Sequence, residues 1–120
     1  GGDRDAAKRP LMGAVAQQGA DRIVITSDNP RSEAPMAIIG DIRRGVPDGR
    51  AVEVEADRAR AIALALEQAE DHDVVLIAGK GHEDYQETAG VRRPFSDKAL
   101  ALGVLQALAA KQDRGERAPT

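Results

Sequence analysis

A layered α/β domain, Rossmann-like with a mostly parallel sheet and helices on both faces, is what this sequence predicts. Three observations carry that reading. Short apolar, β-branched runs at Ile23-Val24-Ile25 and Val74-Val75-Leu76-Ile77 have the continuous character of strands covered from both sides. Segments of helical apolar spacing alternate with them, as crossover connections between parallel strands require. Each run also leads into a polar loop containing Gly or Pro, and strand-end loops are where open α/β sheets bind ligands.

The elements follow in order. Leu11, Met12, Val15 and Ala16 have helical spacing, so a helix is expected from about Ala7 to Gln18, with Pro10 in its first turn and Gly19 near its end. Arg22 to Thr26 is the first strand. Pro35 suits the first turn of a helix carrying Ile38, Ile39 and Ile42, closed by the turn Gly45-Val46-Pro47-Asp48-Gly49. Val52-Glu53-Val54-Glu55 alternates as a half-covered strand does. Asp57 is a suitable N-cap for a helix through Glu70, whose Ile62, Leu64, Ala65, Leu66 and Ala69 make a broad apolar face. Val74 to Ala78 is the strongest strand signal and runs directly into Gly79-Lys80-Gly81-His82-Glu83. Asp84 to Thr88 and Val91 to Phe95, joined by Ala89-Gly90, read as a hairpin. Ser96 caps a last helix bearing Leu100, Leu102, Val104, Leu105 and Leu108. Residues 1–111 are expected to form one domain, cut at its N-terminal edge from a longer chain, and 112–120 a fraying tail.

Composition narrows the function classes. Seventeen basic and 20 acidic residues give a net charge of -3, which offers no bulk attraction to nucleic acid or anionic membranes. One Tyr and one Phe cannot build stacking platforms for single strands. No cysteine is present, which removes disulfides and thiolate metal sites and fits a reducing compartment. No apolar run approaches the roughly 18 residues of a membrane span. A soluble, cytoplasmic monomer is expected.

The chemistry sits in three polar loops. Asp28-Asn29-Pro30-Arg31 packs an acid, an amide and a guanidinium into four residues after the first strand. Its bland alternative is an Asx-type turn. Arg4 lies in the first loop and Glu83 in the third, and each charge taken singly reads equally as a solvated surface group. Brought to one sheet edge, guanidiniums for carboxylates and a carboxylate for an ammonium match a zwitterionic amino acid. Asn29 can donate and accept at once. Gly79-Lys80-Gly81 lacks the G-x-x-x-x-G-K-[ST] spacing of a phosphate loop. His82 is a possible acid or base, while His72 belongs to a surface turn; the two do not have the spacing of a metal site.

Gly-Gly-Asp-Arg-Asp at 1–5, Lys-Arg-Pro-Leu-Met at 8–12, Asp-Asn-Pro-Arg at 28–31 and Gly-Lys-Gly-His-Glu-Asp-Tyr-Gln at 79–86 together resemble the C-terminal domain of the Mur ligases, in their diaminopimelate-adding branch. The resemblance covers about Gly1 to Asp97 in matching order. It implies the three-layer fold of that domain and a part in an ATP-dependent ligase that adds meso-diaminopimelate to UDP-N-acetylmuramoyl-L-alanyl-D-glutamate in peptidoglycan precursor synthesis. Carried over by residue, it implies that Arg4, Asn29, Arg31, Gly79 and Glu83 bind the amino acid, with Asp28 and Pro30 completing the motif. It further implies that Asp3 reaches the nucleotide. Ala7 stands where relatives often have Gly, and Ser27 where a second Asp is common; neither change removes a binding group. ATP and Mg2+ belong, by the same implication, mainly to domains outside this chain, so the isolated domain is expected to be inactive and to hold no metal or catalytic residue of its own. Two other readings stay open: a non-catalytic α/β amino-acid-binding module, and a structural domain with solvated charged loops.

Overall fold

The computed structural model describes residues 1–80 and 83–113. Gly81 and His82 of the third loop lie outside them, as do residues 114–120 of the expected 112–120 tail, whose first two residues continue the last helix. The order of elements is α1 (Lys8–Gly19), β1 (Val24–Thr26), α2 (Pro35–Arg43), β2 (Glu53–Glu55), α3 (Arg58–Gln68), β3 (Tyr85–Thr88), β4 (Val91–Pro94) and α4 (Asp97–Asp113).

β1 and β2 pair in parallel, with Val24 opposite Glu53, Ile25 opposite Val54 and Thr26 opposite Glu55. Side chains alternate across a strand, so this register sets Val54 beside Ile25 on one face. That face is the core: Ile23, Ile25 and Ile39 are buried together, and Ala16, Ile42, Val52, Val54 and Ala56 pack around them. Ile39 comes from α2, which therefore lies directly on β1. Ala61 and Ile62 of α3 are buried outside that cluster. α3 packs on β1 and β2, and α4 packs on α3, giving a parallel α/β sheet with helices on both faces.

Caps and turns follow the chemistry of their residues. The Asp57 carboxylate accepts from the Arg60 amide at 3.2 Å, and the Ser96 hydroxyl accepts from the Ala99 amide at 3.2 Å, each satisfying a donor that a helix start leaves free. Pro35 occupies the first turn of α2, where a missing amide hydrogen costs nothing. β3 and β4 form an antiparallel hairpin, Tyr85 opposite Pro94 and Thr88 opposite Val91. Its turn residues Ala89 (φ 51°) and Gly90 (φ 79°) have the paired positive φ that matches the twist of the strands.

One expectation fails. Val74 to Ala78 is not a strand: among the described residues it pairs with nothing, and Val74 and Leu76 are 94% and 86% exposed. Propensity alone does not make a strand, because a ladder needs a neighbour to take its amides and carbonyls. α1 forms as expected, and of its apolar residues Ala16 packs against the core while Leu11, Met12 and Val15 are exposed. Arg9 and Gly13 are also buried, and Gly13 lies so close to Ile42 that a Cβ there would overlap its carbonyl oxygen. Close backbone approach and an ion network, rather than bulk, define this contact.

Among the described residues no helix is long and apolar enough to cross a membrane. The core assignment predicts that Ile39→Ala will destabilise the domain by about 3 kcal/mol, the range for truncating a buried aliphatic side chain. Met36→Ala, on an exposed part of the same helix, should stay within about 0.5 kcal/mol. Urea unfolding monitored by circular dichroism checks both.

Candidate functional site

β1 releases the chain at Ser27, and the next residues run along the hairpin instead of dissolving into solvent. The Arg31 amide donates to the Glu87 carbonyl at 2.9 Å, and Arg31 forms a parallel bridge with Thr88. Two residues earlier the Glu87 amide donates to Asn29 Oδ1 at 2.9 Å, and before that Gln86 Nε2 donates to the Asp28 carbonyl at 2.8 Å. Pro30 is fully buried within this strap. The sequence-level turn is thus a fixed ribbon between strand and hairpin.

Asn29 joins the strap to the third loop. It is 0% exposed, and its Nδ2 donates to Glu83 Oε1 at 3.3 Å. The second Glu83 oxygen accepts from the Tyr85 hydroxyl at 3.1 Å. Both donors are neutral, and among the described residues no cationic side chain pairs with Glu83. Gly79 lies against the Asp28 carboxylate, and Asp28 Oδ1 is buried with no hydrogen-bond partner among the described residues.

The first loop closes from the other side. The Gly2 amide donates to the Asn29 carbonyl at 2.7 Å, and Gly2 packs so tightly under Pro30 that a Cβ would overlap its carbonyl. Arg31 Nη1 donates to the Gly2 carbonyl at 2.8 Å and to the Asn29 carbonyl at 3.4 Å. One arm of the guanidinium fork is therefore anchored on backbone, which orients the rest. Arg31 adopts φ 53°, a left-handed conformation uncommon for a residue with a side chain.

Asp28, Asn29, Pro30, Arg31, Gly79 and Glu83 are accordingly brought together, and two residues stand apart. Arg4 is exposed and lines a shallow cleft of about 350 Å³ with Gly1, Asp5, Lys8, Arg9 and Met12; no hydrogen bond ties its side chain to the strap among the described residues. Asp3 is turned toward Ser32, accepting from its hydroxyl and its amide, while its own amide donates to Glu33. The Lys80 ammonium points inward, onto the Tyr85 carbonyl and over the Tyr85 and Phe95 rings at 5.4 and 5.7 Å. It is not presented to a phosphate.

Sequence reasoning missed two buried arginines that hold these loops. Arg9, 4% exposed, donates to both Glu33 oxygens at 2.8 and 3.0 Å, to Asp41 at 2.9 Å and to the Gly1 carbonyl at 3.0 Å. Arg58 pairs in a bidentate manner with Asp97 at 2.7 and 2.6 Å. A signal existed for Arg58, which lies three and four residues before the buried Ala61 and Ile62 and so on the inner face of α3. A charge on a buried stripe calls for a partner. Nothing in the sequence pairs Arg9 with an acid 24 residues away.

Comparison with known proteins bears on the same loops. A family model described as Mur ligase, glutamate ligase domain, matches residues 1–81. The chain belongs to the Mur ligase C-terminal domain family. Proteins named UDP-N-acetylmuramoyl-L-alanyl-D-glutamate--2,6-diaminopimelate ligase are its relatives. That of Acidovorax sp. (strain JS42) is 63% identical over 105 residues, 88% of this chain and 21% of the relative. That of Pseudomonas aeruginosa is 58% identical over 107 residues, 89% of this chain and 22% of the relative. A solved structure of a protein of the same name superposes with a TM-score of 0.84 at 46% identity, over 89% of this chain and 22% of that one. This Mur ligase domain thus spans about a fifth of the length of the relatives it matches.

Glu33 gives the loop network a pH signature. Its hydrogen bonds from the Arg9 guanidinium and, second, from the Asp3 amide hold its carboxyl down at about 2, from an ordinary 4.5. A carboxylate with a depressed folded-state pKa contributes stability that is full above its unfolded value and is lost as pH falls through the folded one. The thermal stability advantage of the native domain over Glu33→Gln should therefore be constant above about pH 5 and shrink between about 4.5 and 2. Thermal melts of both proteins across that range check it.

Proposed function

We propose that this chain is the amino-acid-binding domain of an ATP-dependent ligase that joins meso-diaminopimelate to UDP-N-acetylmuramoyl-L-alanyl-D-glutamate. The observation that carries the reading is the Asn29–Glu83 contact, because it sets a carboxylate with no ion-pair partner among the described residues on the same strap as the backbone-anchored Arg31 fork. An ammonium and a carboxylate of one zwitterion can be met there together. The names of the relatives supply the identity of that zwitterion.

In this reading Glu83, with Asn29 and the Gly79 carbonyl, takes an ammonium, and Arg31 takes a carboxylate in a bidentate manner. Arg4 takes a second carboxylate from the edge of its cleft, Asp28 closes the strap side, and Pro30 fixes the backbone between them. Selection against lysine follows from chemistry, since lysine has no distal carboxylate and would leave a guanidinium unpaired in the complex.

Bond formation is assigned to the rest of the polypeptide. There ATP, with Mg2+, would phosphorylate the dipeptide carboxylate with release of ADP, and a deprotonated amine of the bound amino acid, other than the ammonium held by Glu83, would displace the phosphate to form the amide. The inward Lys80 supports keeping phosphates away from this domain. A nucleotide contact from Asp3 requires its carboxylate to leave Ser32, so domain closure is the step at which it would form. A cytoplasmic setting, where ATP and nucleotide-linked precursors are available, fits the activity.

In the complete polypeptide carrying this chain, Arg31→Ala should lower kcat/KM for meso-diaminopimelate by about a hundredfold or more, the cost of stripping a charged partner from a desolvated pair. Discrimination against L-lysine should weaken in parallel. Steady-state assays with both amino acids check this; full retention of activity and selectivity refutes the assignment, and amino-acid binding without any ligation favours a non-catalytic module.

A further inference from the structure

The two segments that carry the binding loops are not joined by a sheet ladder. β1 ends at Thr26 and leads into Ser27, and residues 74–78 run to Ala78 with no strand partner among the described residues. The Arg58 side chain spans them. Arg58, 3% exposed, donates from Nη1 to the Ser27 carbonyl at 3.0 Å and from Nη2 to the Ala78 carbonyl at 3.2 Å. Its Nε and Nη2 also hold the two Asp97 oxygens at 2.7 and 2.6 Å.

Ser27 immediately precedes Asp28, and Ala78 immediately precedes Gly79. We propose that Arg58, steadied by Asp97 at the start of α4, is a positioning residue that sets the spacing of the strap and the Gly79 loop, and through it the affinity for the incoming amino acid. The inference rests on the site reading given above and adds to it a residue that touches no substrate atom.

Guanidinium chemistry suits the task. The group is planar and rigid, and it addresses a carboxylate along one edge while its remaining hydrogens reach carbonyls in the same plane. A flexible lysine ammonium cannot keep all four contacts in one plane. Buried ion pairs are weak sources of net stability, so stability alone is a poor account of the arrangement. The Asn29–Glu83 contact bridges the same two segments beyond the arginine, and the Asp28 carboxylate next to Gly79 lies between the bridges. A change in spacing at Arg58 therefore reaches both.

The test uses the complete polypeptide with Arg58→Lys and Asp97→Asn, and Arg31→Ala as the control for the site. Each Arg58 or Asp97 variant should raise KM for meso-diaminopimelate about tenfold through misplaced binding groups, with kcat and the KM values for ATP and the nucleotide-linked dipeptide held within about twofold. Selectivity over L-lysine should fall in the same variants. A purely structural pair would instead lower the active fraction, reducing kcat with KM unchanged, and that result overturns the proposal. Failure of both variants to fold, read from thermal melts, makes the pair a determinant of the fold and overturns it equally. If Arg31→Ala raises KM while folded Arg58→Lys and Asp97→Asn do not, positioning fails and the site stands; if Arg31→Ala leaves KM unchanged, the site reading itself has failed.

Discussion

Asn29 is the point on which three loops of this domain depend. Its side chain accepts from the hairpin and donates to Glu83, while its backbone carbonyl accepts from the first loop and from Arg31. A fully buried amide of this kind must have its polar groups satisfied or cost the fold heavily. Because each partner comes from a different stretch of chain, meeting that requirement assembles the site. Asparagine is suited to it in a way aspartate is not, since an ionised carboxylate could accept from Glu87 but would repel Glu83 instead of donating to it.

The arginines divide into those spent on architecture and those whose guanidiniums are not fully committed inside the fold. Arg9 and Arg58 are buried and directed onto carboxylates and backbone carbonyls, so their charge is neutralised within the protein. Arg31 is partly exposed with one nitrogen committed to carbonyl oxygens, and Arg4 is exposed. A net charge of -3 does not report how individual guanidiniums are placed: two are consumed inside the fold and two stay at the loops.

Much of this was legible in the sequence where the signal is local. The N-cap at Asp57, the cap at Ser96 and the Ala89-Gly90 turn need only neighbouring residues, and all three form as read. The strap was legible as a motif and its partner Glu83 as a loop residue, yet no rule of spacing announces a 54-residue contact from Asn29. The failure has the same root. Val74 to Ala78 has every local mark of a strand and lacks, among the described residues, the neighbour that would make it one. In α1 the buried contact is made by Gly13 and Arg9 while Leu11 and Met12 stay exposed. Burial is decided by what faces an element, which its own sequence does not contain.

The left-handed backbone at Arg31 sets two demands in opposition. At φ 53° a glycine would relieve strain that costs roughly 1 kcal/mol, so the local conformation by itself selects against any long side chain. An arginine nonetheless occupies the position. Fold economy would have discarded it, and laboratory selection for thermal stability alone should tend to do so. If Arg31 serves the proposed site, robustness and recognition pull apart at this residue, and a more durable domain would be a blinder one.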